Sequence, residues 1–414
     1  MKKDILFLCQ FFYPEHNSSA TLPFDTAAYL SGQGFSVDAL VGYPKEYSTE
    51  TSVPLRETAR GVHIRRLRYL QLRRTGTLGR LINYFSFTLR VLLHLGVFRN
   101  YRSVIVYSNP PILPVAPLLA KRLFGTRIVF VAYDVYPEVA YASGALAANG
   151  LISRVMRRLN RALYRRADRV VALTDEMRGF LLSNRPELDA QRAVTIPNWA
   201  HEHTAPLLAE TYDRFGIRPD QFVVAYFGNL GTAQDVQTML DAARLLRGDD
   251  RVCFLVVGHG NKKAAFADRV EAEQLHNVRM YDFLTGEDFE QAVAVSSACI
   301  VSLEKGLMGT CAPSKYYSYL QGGKPVLAVV EPESYLAEEV TREQIGCAVN
   351  VGDGGALRDA ILRMEADREA CRAMGVRASA LYEAQYAASI GLARYGALFQ
   401  TLLRNEGDRT CESS

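Results

Sequence analysis

Residues 306–330 read GLMGTCAPSKYYSYLQGGKPVLAVV. Gly306, Gly309 and Pro313 break regular structure and make a loop. Residues 314–321 predict a helix with Ser314 as a candidate cap. Gly322-Gly323-Lys324-Pro325 is a sharp turn, and residues 326–330 predict a short buried strand. A glycine loop that feeds a helix suits phosphate, because free backbone N–H groups and the positive end of the helix dipole point there. Lys315 falls in the first turn, where its charge opposes that dipole. An anion in front of the helix accounts for it; a surface lysine on an ordinary αβ connection is the plainer alternative.

The stretch belongs to a longer alternation. Strands are predicted at 221–227, 252–257, 278–280, 298–303 and 325–330, with a helix over 235–246. The first strand runs into Gly228-Asn229-Leu230-Gly231 and the second into Gly258-His259-Gly260-Asn261-Lys262-Lys263. Each glycine turn alone is as well explained by packing. Three such loops after three strands of one parallel sheet converge on one edge, and that predicts a diphosphate site. From 372 to 404 the chain reads as helical, with a joint near Gln385.

The first half alternates in the same way without repeating the second. Strands are predicted at 4–10, 34–41, 63–70, 103–107, 127–132, 169–173 and 193–196, and helices at 21–31, 78–97 and 151–167. The loop after the first strand, FFYPEHNSSA (11–20), is polar and lacks glycine, so it is not a dinucleotide fingerprint. Asp134 follows a strand directly, which places a carboxylate at the ligand-binding edge of an open sheet; capping of the next turn is the alternative. Pro197-Asn198-Trp199 reads as a hinge.

Length and composition agree with two domains. One core rarely grows past about 250–300 residues, and this chain has 414, with 49% hydrophobic and 22% charged residues. Met1-Lys2-Lys3-Asp4 leads straight into ILFLC, so no signal peptide is expected. Seven scattered cysteines fit a reducing compartment and argue against a disulfide framework or zinc site. The net charge of +4 is unevenly spread: residues 61–103 hold nine arginines and no acid, and residues 151–169 hold seven arginines and one acid, Asp168. Such patches suit a phosphate-rich surface. The apolar run in 78–97, about 17 residues, falls short of the roughly 20 that span a bilayer. It is interrupted by Asn83, Arg90 and His94. It reads as amphipathic, either core or lying on a membrane with Leu81, Phe85, Leu89 and Leu92 in the acyl boundary and Arg73, Arg74 and Arg80 at head groups.

The order and spacing of FFYPE, DVYPE, IPNW, YFGNLG, VVGHGNKK and PSKYYSYLQGGKPVLA resemble those of retaining family 4 glycosyltransferases of the GT-B fold, in the branch that builds bacterial exopolysaccharide, capsule and O-antigen. The resemblance covers nearly the whole chain. It implies two Rossmann-like domains facing across a cleft, with the final helix crossing back to the first: residues 1–198 plus about 387–404 for the acceptor, and 199–386 for the nucleotide sugar. It implies transfer with retention, no cofactor and no metal. Asp134 and Lys315 become the catalytic candidates. Gly228, Asn229, Gly231, Gly258, Gly260, Lys262, Lys263, Gly309, Pro313, Ser314 and Ser318 become the donor-binding candidates. Glu15, His16, Asn17, Ser18 and Glu138 would face the acceptor or sugar. The expected partners are a nucleotide-sugar donor, a lipid-linked (polyprenyl diphosphate) saccharide and an anionic membrane. The expected location is cytoplasmic, peripheral on the inner face of the bacterial plasma membrane. The sequence leaves oligomeric state open.

Several positions depart from that family. The paired glycines of the first loop are replaced by His16-Asn17-Ser18-Ser19, and Asn229, Thr232 and Gln234 stand where Arg and Lys are usual. The family's two glutamates fall on Thr310 and Ser318, which leaves Ser318 or Glu304 to hold a ribose. A sugar-nucleotide epimerase or a non-catalytic partner subunit on the same fold are the competing readings. A NAD-dependent dehydrogenase lacks its glycine fingerprint, and neither basic stretch carries a nucleic-acid recognition module.

Overall fold

The computed structural model describes residues 2–44, 52–72, 77–142, 144, 146–200 and 206–404. Arg73 and Arg74 lie outside them. The chain divides into two compact units. The first comprises Met1–Asn198, the short piece Gly309–Ala312 and Ser389–Ser414; the second comprises Trp199–Met308 and Pro313–Ala388.

The first unit is built on eight strands: β1 (Lys3–Cys9), β2 (Val37–Gly42), β3 (Arg56–Ala59), β4 (Val62–Leu67), β5 (Tyr101–Tyr107), β6 (Arg127–Ala132), β7 (Arg169–Ala172) and β8 (Ala193–Thr195). Their order is β3-β4-β2-β1-β5-β6-β7-β8. Every pairing is parallel except β3 on β4. The strand order reverses between β1 and β5, so the loop after β1 opens onto a switch point. The helix Ala388–Arg404 groups with this unit from Ser389 onward. Arg102 donates to the Leu403 carbonyl at 2.5 Å, and Arg127 donates to Leu402. These guanidinium groups satisfy carbonyls that a helix C-terminus leaves unpaired.

The second unit holds six strands, all parallel: β9 (Phe222–Asn229), β10 (Val252–His259), β11 (Val278–Tyr281), β12 (Ala298–Ser302), β13 (Val326–Val329) and β14 (Gly346–Val349), in the order β11-β10-β9-β12-β13-β14. Helices cover both faces of such a sheet, so its central strands read as unbroken apolar runs. VCFLVVG of β10 is buried throughout. The switch point lies between β9 and β12. Those two strands pair only through Ala298 with Val224 and Cys299 with Ala225. Beyond that they part, and the hydroxyl of Tyr319 takes the Phe227 N–H at 3.0 Å.

The doubly wound pair predicted from the alternation is what the structure contains, with the C-terminal helix back on the first unit. Local differences have local causes. The helix predicted over 78–97 is Thr77–Leu92 followed by a 3-10 turn, Leu95–Asn100. It breaks where the His94 ring meets the Arg90 carbonyl (2.8 Å) and Gly96 disfavours helix. The first helix starts earlier than read, at Ser18 rather than 21. The Asn17 carbonyl already accepts from Ala20 and Thr21 at 2.9 and 3.0 Å. Strands β3 and β14, both at sheet edges, were not anticipated. The joint near Gln385 is a π-helical turn, Tyr382–Tyr386. No described helix is long and apolar enough to cross a membrane.

One close approach fixes the site edge of the second sheet. A β-carbon on Gly258 would stand 1.8 Å from the Gly228 carbonyl oxygen, and Gly258 has φ +159°. Gly258→Ala is therefore expected to destabilise the protein by roughly 1–3 kcal/mol. Urea unfolding of the variant checks this, and an unchanged midpoint would contradict it.

Candidate functional site

The carboxyl edge of the second sheet is assembled by backbone. In register, Gly258 faces Gly228 and His259 faces Asn229. The Leu230 N–H donates to the His259 carbonyl at 2.6 Å, and the Lys262 N–H donates to the Leu230 carbonyl at 2.9 Å. The two glycine turns are thus one stitched surface. The Asn229 side chain lies over it, close enough that a β-carbon on Gly231 or Gly260 would strike it. The Gly231 N–H, expected to meet phosphate, is held by Gln234 Oε1 at 3.1 Å.

The two lysines of the second turn are committed to partners. Lys262 Nζ bonds Glu304 at 2.5 Å and the Gln234 carbonyl at 2.7 Å. This also occupies Glu304, the residue considered for ribose. Lys263 Nζ bonds the Tyr281 carbonyl at 3.1 Å and pairs with Asp282.

Lys315 differs. It opens the helix Lys315–Gln321, and its side chain runs beneath the Gly228 turn. Its Nζ is shut off from solvent without a hydrogen-bond partner. It stands 3.6 Å from the ring centroid of Tyr226. Burial holds this amine well below the ordinary lysine value. The ring face favours the cation by about 2 kcal/mol, which offsets only part of the cost of desolvating an ammonium with no acceptor. Tyr226 donates its own hydroxyl to the Asn229 carbonyl at 2.8 Å, which fixes the ring. The neighbours follow from the loop. Ser314 is helical in backbone and its side chain caps nothing, unlike the expected cap. The Pro313 carbonyl accepts from Tyr316 at 3.1 Å. The Ser318 carbonyl accepts from Gly322 at 3.0 Å.

Within the first unit, Asp134 follows β6 and donates its N–H to Ser108 Oγ at 3.0 Å. It forms an isolated antiparallel bridge with Cys311, and the Val135 N–H donates to the Thr310 carbonyl at 2.7 Å. Burial pushes the Asp134 carboxyl up to about 6. Gly309, expected to offer its N–H to phosphate, gives it to the Glu176 carboxylate at 2.8 Å. Glu138 is held by Arg185, which donates to both carboxylate oxygens at 2.7 Å while lying over the Tyr164 ring. Of the loop after β1, Glu15 is 3% exposed, His16 and Ser18 are exposed, and Asn17 is half-buried before the helix.

Sequence reasoning missed Tyr226, Tyr319, Arg185 and Glu176. Tyr226 and Tyr319 stand inside YFGNLG and PSKYYSYLQGGKPVLA, where the local sequence gives no sign of their partners; Arg185 and Glu176 are brought in by distant elements.

A strand-switch crevice with glycine turns and an enclosed lysine, in a chain of two doubly wound units, is the architecture of GT-B glycosyltransferases. Residues 24–199 match the family described as glycosyl transferase 4-like domain, and residues 221–367 match glycosyl transferases group 1. The chain belongs to the glycosyltransferases built from these two domains. It is 27% identical over 300 residues, 72% of this chain and 74% of the other, to the probable glycosyltransferase WbjE of Pseudomonas aeruginosa. It is 23% identical over 60% of its length, and 65% of the relative's, to the putative colanic acid biosynthesis glycosyl transferase WcaI of Escherichia coli. Among solved structures it resembles Anabaena HepE in complex with UDP-glucose, with TM-score 0.69 and 16% identity over 97% of this chain and 100% of that one.

The state of Lys315 has a measurable consequence. A folded-state value below the unfolded one means that the unfolded chain binds more protons between the two. Stability contributed through this residue therefore rises with pH across that window, by up to about 1.4 kcal/mol per pH unit. Lys315→Met is expected to be more stable than wild type near pH 7, with the gap closing toward pH 10. Urea midpoints of both proteins from pH 7 to 10 check this; parallel curves would mean that the lysine is charged in the fold.

Proposed function

We propose that the chain is a retaining, metal-independent hexosyltransferase. It would move a sugar from a nucleotide-sugar donor to a lipid-linked saccharide in bacterial polysaccharide synthesis. The observation that carries this is Lys315: a solvent-excluded amine without a hydrogen-bond partner, packed under the glycine turns where a diphosphate would lie. A buried polar group left unpaired is costly, and a departing diphosphate is a partner that satisfies it and raises its proton affinity. The colanic-acid assignment of WcaI and the UDP-glucose bound to HepE support the pathway and donor class.

In this reading the acceptor hydroxyl attacks the anomeric carbon on the face the nucleoside diphosphate leaves. The carbon–oxygen bond to the acceptor forms as that to phosphate breaks. The leaving phosphate oxygen takes the hydroxyl proton, so configuration is kept without a covalent enzyme intermediate. Asp134 would orient the hydroxyl or face the oxocarbenium-like charge, and both roles need the carboxylate. Because burial raises its value to about 6, kcat/KM should fall as pH drops through that region. Asp134→Asn should cut turnover about 100-fold or more and remove that acid limb. A variant that loses stability but keeps normal activity per folded molecule would assign Asp134 a capping role.

The first unit supports a lipid acceptor. On the helix Thr77–Leu92 and the residues after it, Phe85, Leu89 and Leu93 are 60%, 57% and 68% exposed at four-residue spacing. Leu81 and Leu92, expected on that face, are half-buried. The helix Val115–Phe124 packs beside it and exposes Leu119 and Leu123. Next to that, the helix Leu151–Arg166 exposes Leu151, Ile152 and Val155 beside Arg154, Arg157, Arg158 and Arg161. Apolar ridges flanked by arginines suit the acyl boundary and phosphate head groups of an anionic membrane. Each arginine near such a surface adds about 1 kcal/mol, screened over about 8 Å at physiological salt. Liposome sedimentation should show binding to anionic vesicles that weakens with salt and is lost in Phe85→Glu/Leu89→Glu. Failure to bind anionic vesicles at low salt would point to a soluble acceptor.

A further inference from the structure

In the second unit Phe283 is the exposed aromatic side chain among the described residues, at 42%. A lone exposed aromatic carries little information by itself; its position does. Tyr281 of β11 pairs in register with Val257 of β10, which carries Phe283, two residues on, level with His259. The two rings meet edge to face, with centroids 5.1 Å apart and planes at 83°. His259 in turn pairs in register with Asn229 at the end of β9. The aromatic pair therefore lies one and two strands along the carboxyl edge from the Gly228 turn, about 10 Å at ordinary strand spacing. That is the reach of a ribose and base from a diphosphate seated at the turn.

The chemistry of the pair suits a planar ring. An edge-to-face arrangement leaves ring faces open for a further aromatic partner. Burial, and then the charge of Lys263, lowers the His259 value, so its imidazole is neutral at neutral pH. Lys263 itself is drawn to Asp282 and to the Tyr281 carbonyl, so the rim beside the rings carries a neutralised ion pair. An apolar wall with a neutral polar rim repels a phosphate less than it attracts a base.

We propose that His259 and Phe283 form the wall against which the base of the donor nucleotide stacks, and so distinguish a nucleotide from a bare diphosphate at the donor site. This rests on the nucleotide-sugar reading above. Stacking on an aromatic face tolerates any base, so the wall contributes affinity, and contacts at the base edge select among bases.

The test is a binding titration of the full chain with UDP, GDP, ADP, CDP and dTDP, and with inorganic pyrophosphate as a base-free control. At least one nucleoside diphosphate should bind wild type more tightly than pyrophosphate does. Phe283→Ala and His259→Ala should each weaken that nucleotide about tenfold, with pyrophosphate binding changed less than twofold and Phe283→Tyr close to wild type. Nucleotide affinity unchanged in both alanine variants would overturn the stacking wall while leaving the donor reading intact. No binding of any nucleotide to wild type would overturn the donor reading itself, and the wall with it.

Discussion

The contact between the backbones of Gly228 and Gly258 is the constraint on which the second unit's site depends. Two parallel strands end in turns so close that a β-carbon on Gly258 would strike the Gly228 carbonyl, while Gly228 itself holds a positive φ of +107°. The reward is a floor of peptide groups without bulk, tied across by Leu230 to His259 and by Lys262 to Leu230. Against it, the Lys315 chain passes the Gly228 turn and ends on the face of Tyr226.

Charge around this floor is distributed by competition. Lys262 and Lys263 have carboxylates within reach and neutralise them. Lys315 has only an aromatic face and loses the contest with desolvation. An anion arriving at the turns therefore finds paired lysines, whose partners must be displaced, and one enclosed amine with nothing to give up. That difference makes Lys315 the more responsive group, since its protonation state depends on what lies above it. Asp134 in the first unit follows the same logic with the opposite sign, a carboxyl raised by burial alone.

Three helices of the first unit turn large apolar side chains outward. Their inner faces supply Phe87, Val91, Met156 and Leu163 to the core. Their outer faces add leucines and isoleucine where a solvated helix would carry short polar residues. Arginine dominates the polar positions between, and its long stem and weakly hydrated head fit a boundary between hydrocarbon and phosphate better than open water does.

Fold class, the number of doubly wound units and the strands that carry glycine turns were legible in the chain, because parallel sheets impose unbroken apolar runs separated by turn residues. The candidate residues could be placed at strand ends for the same reason. Which of them are free to act was not legible. That Lys262 is tied to Glu304, Glu138 to Arg185, the Gly309 N–H to Glu176 and the Gly231 N–H to Gln234 depends in most cases on residues far apart in the chain. That Lys315 ends on the face of Tyr226 depends on the fold bringing the helix Lys315–Gln321 against β9, from which it is far removed in the chain. Local sequence determines backbone shape and the alternation of faces. Pairing, burial and the state of a proton are properties of what the fold brings alongside, and these only the tertiary structure decided.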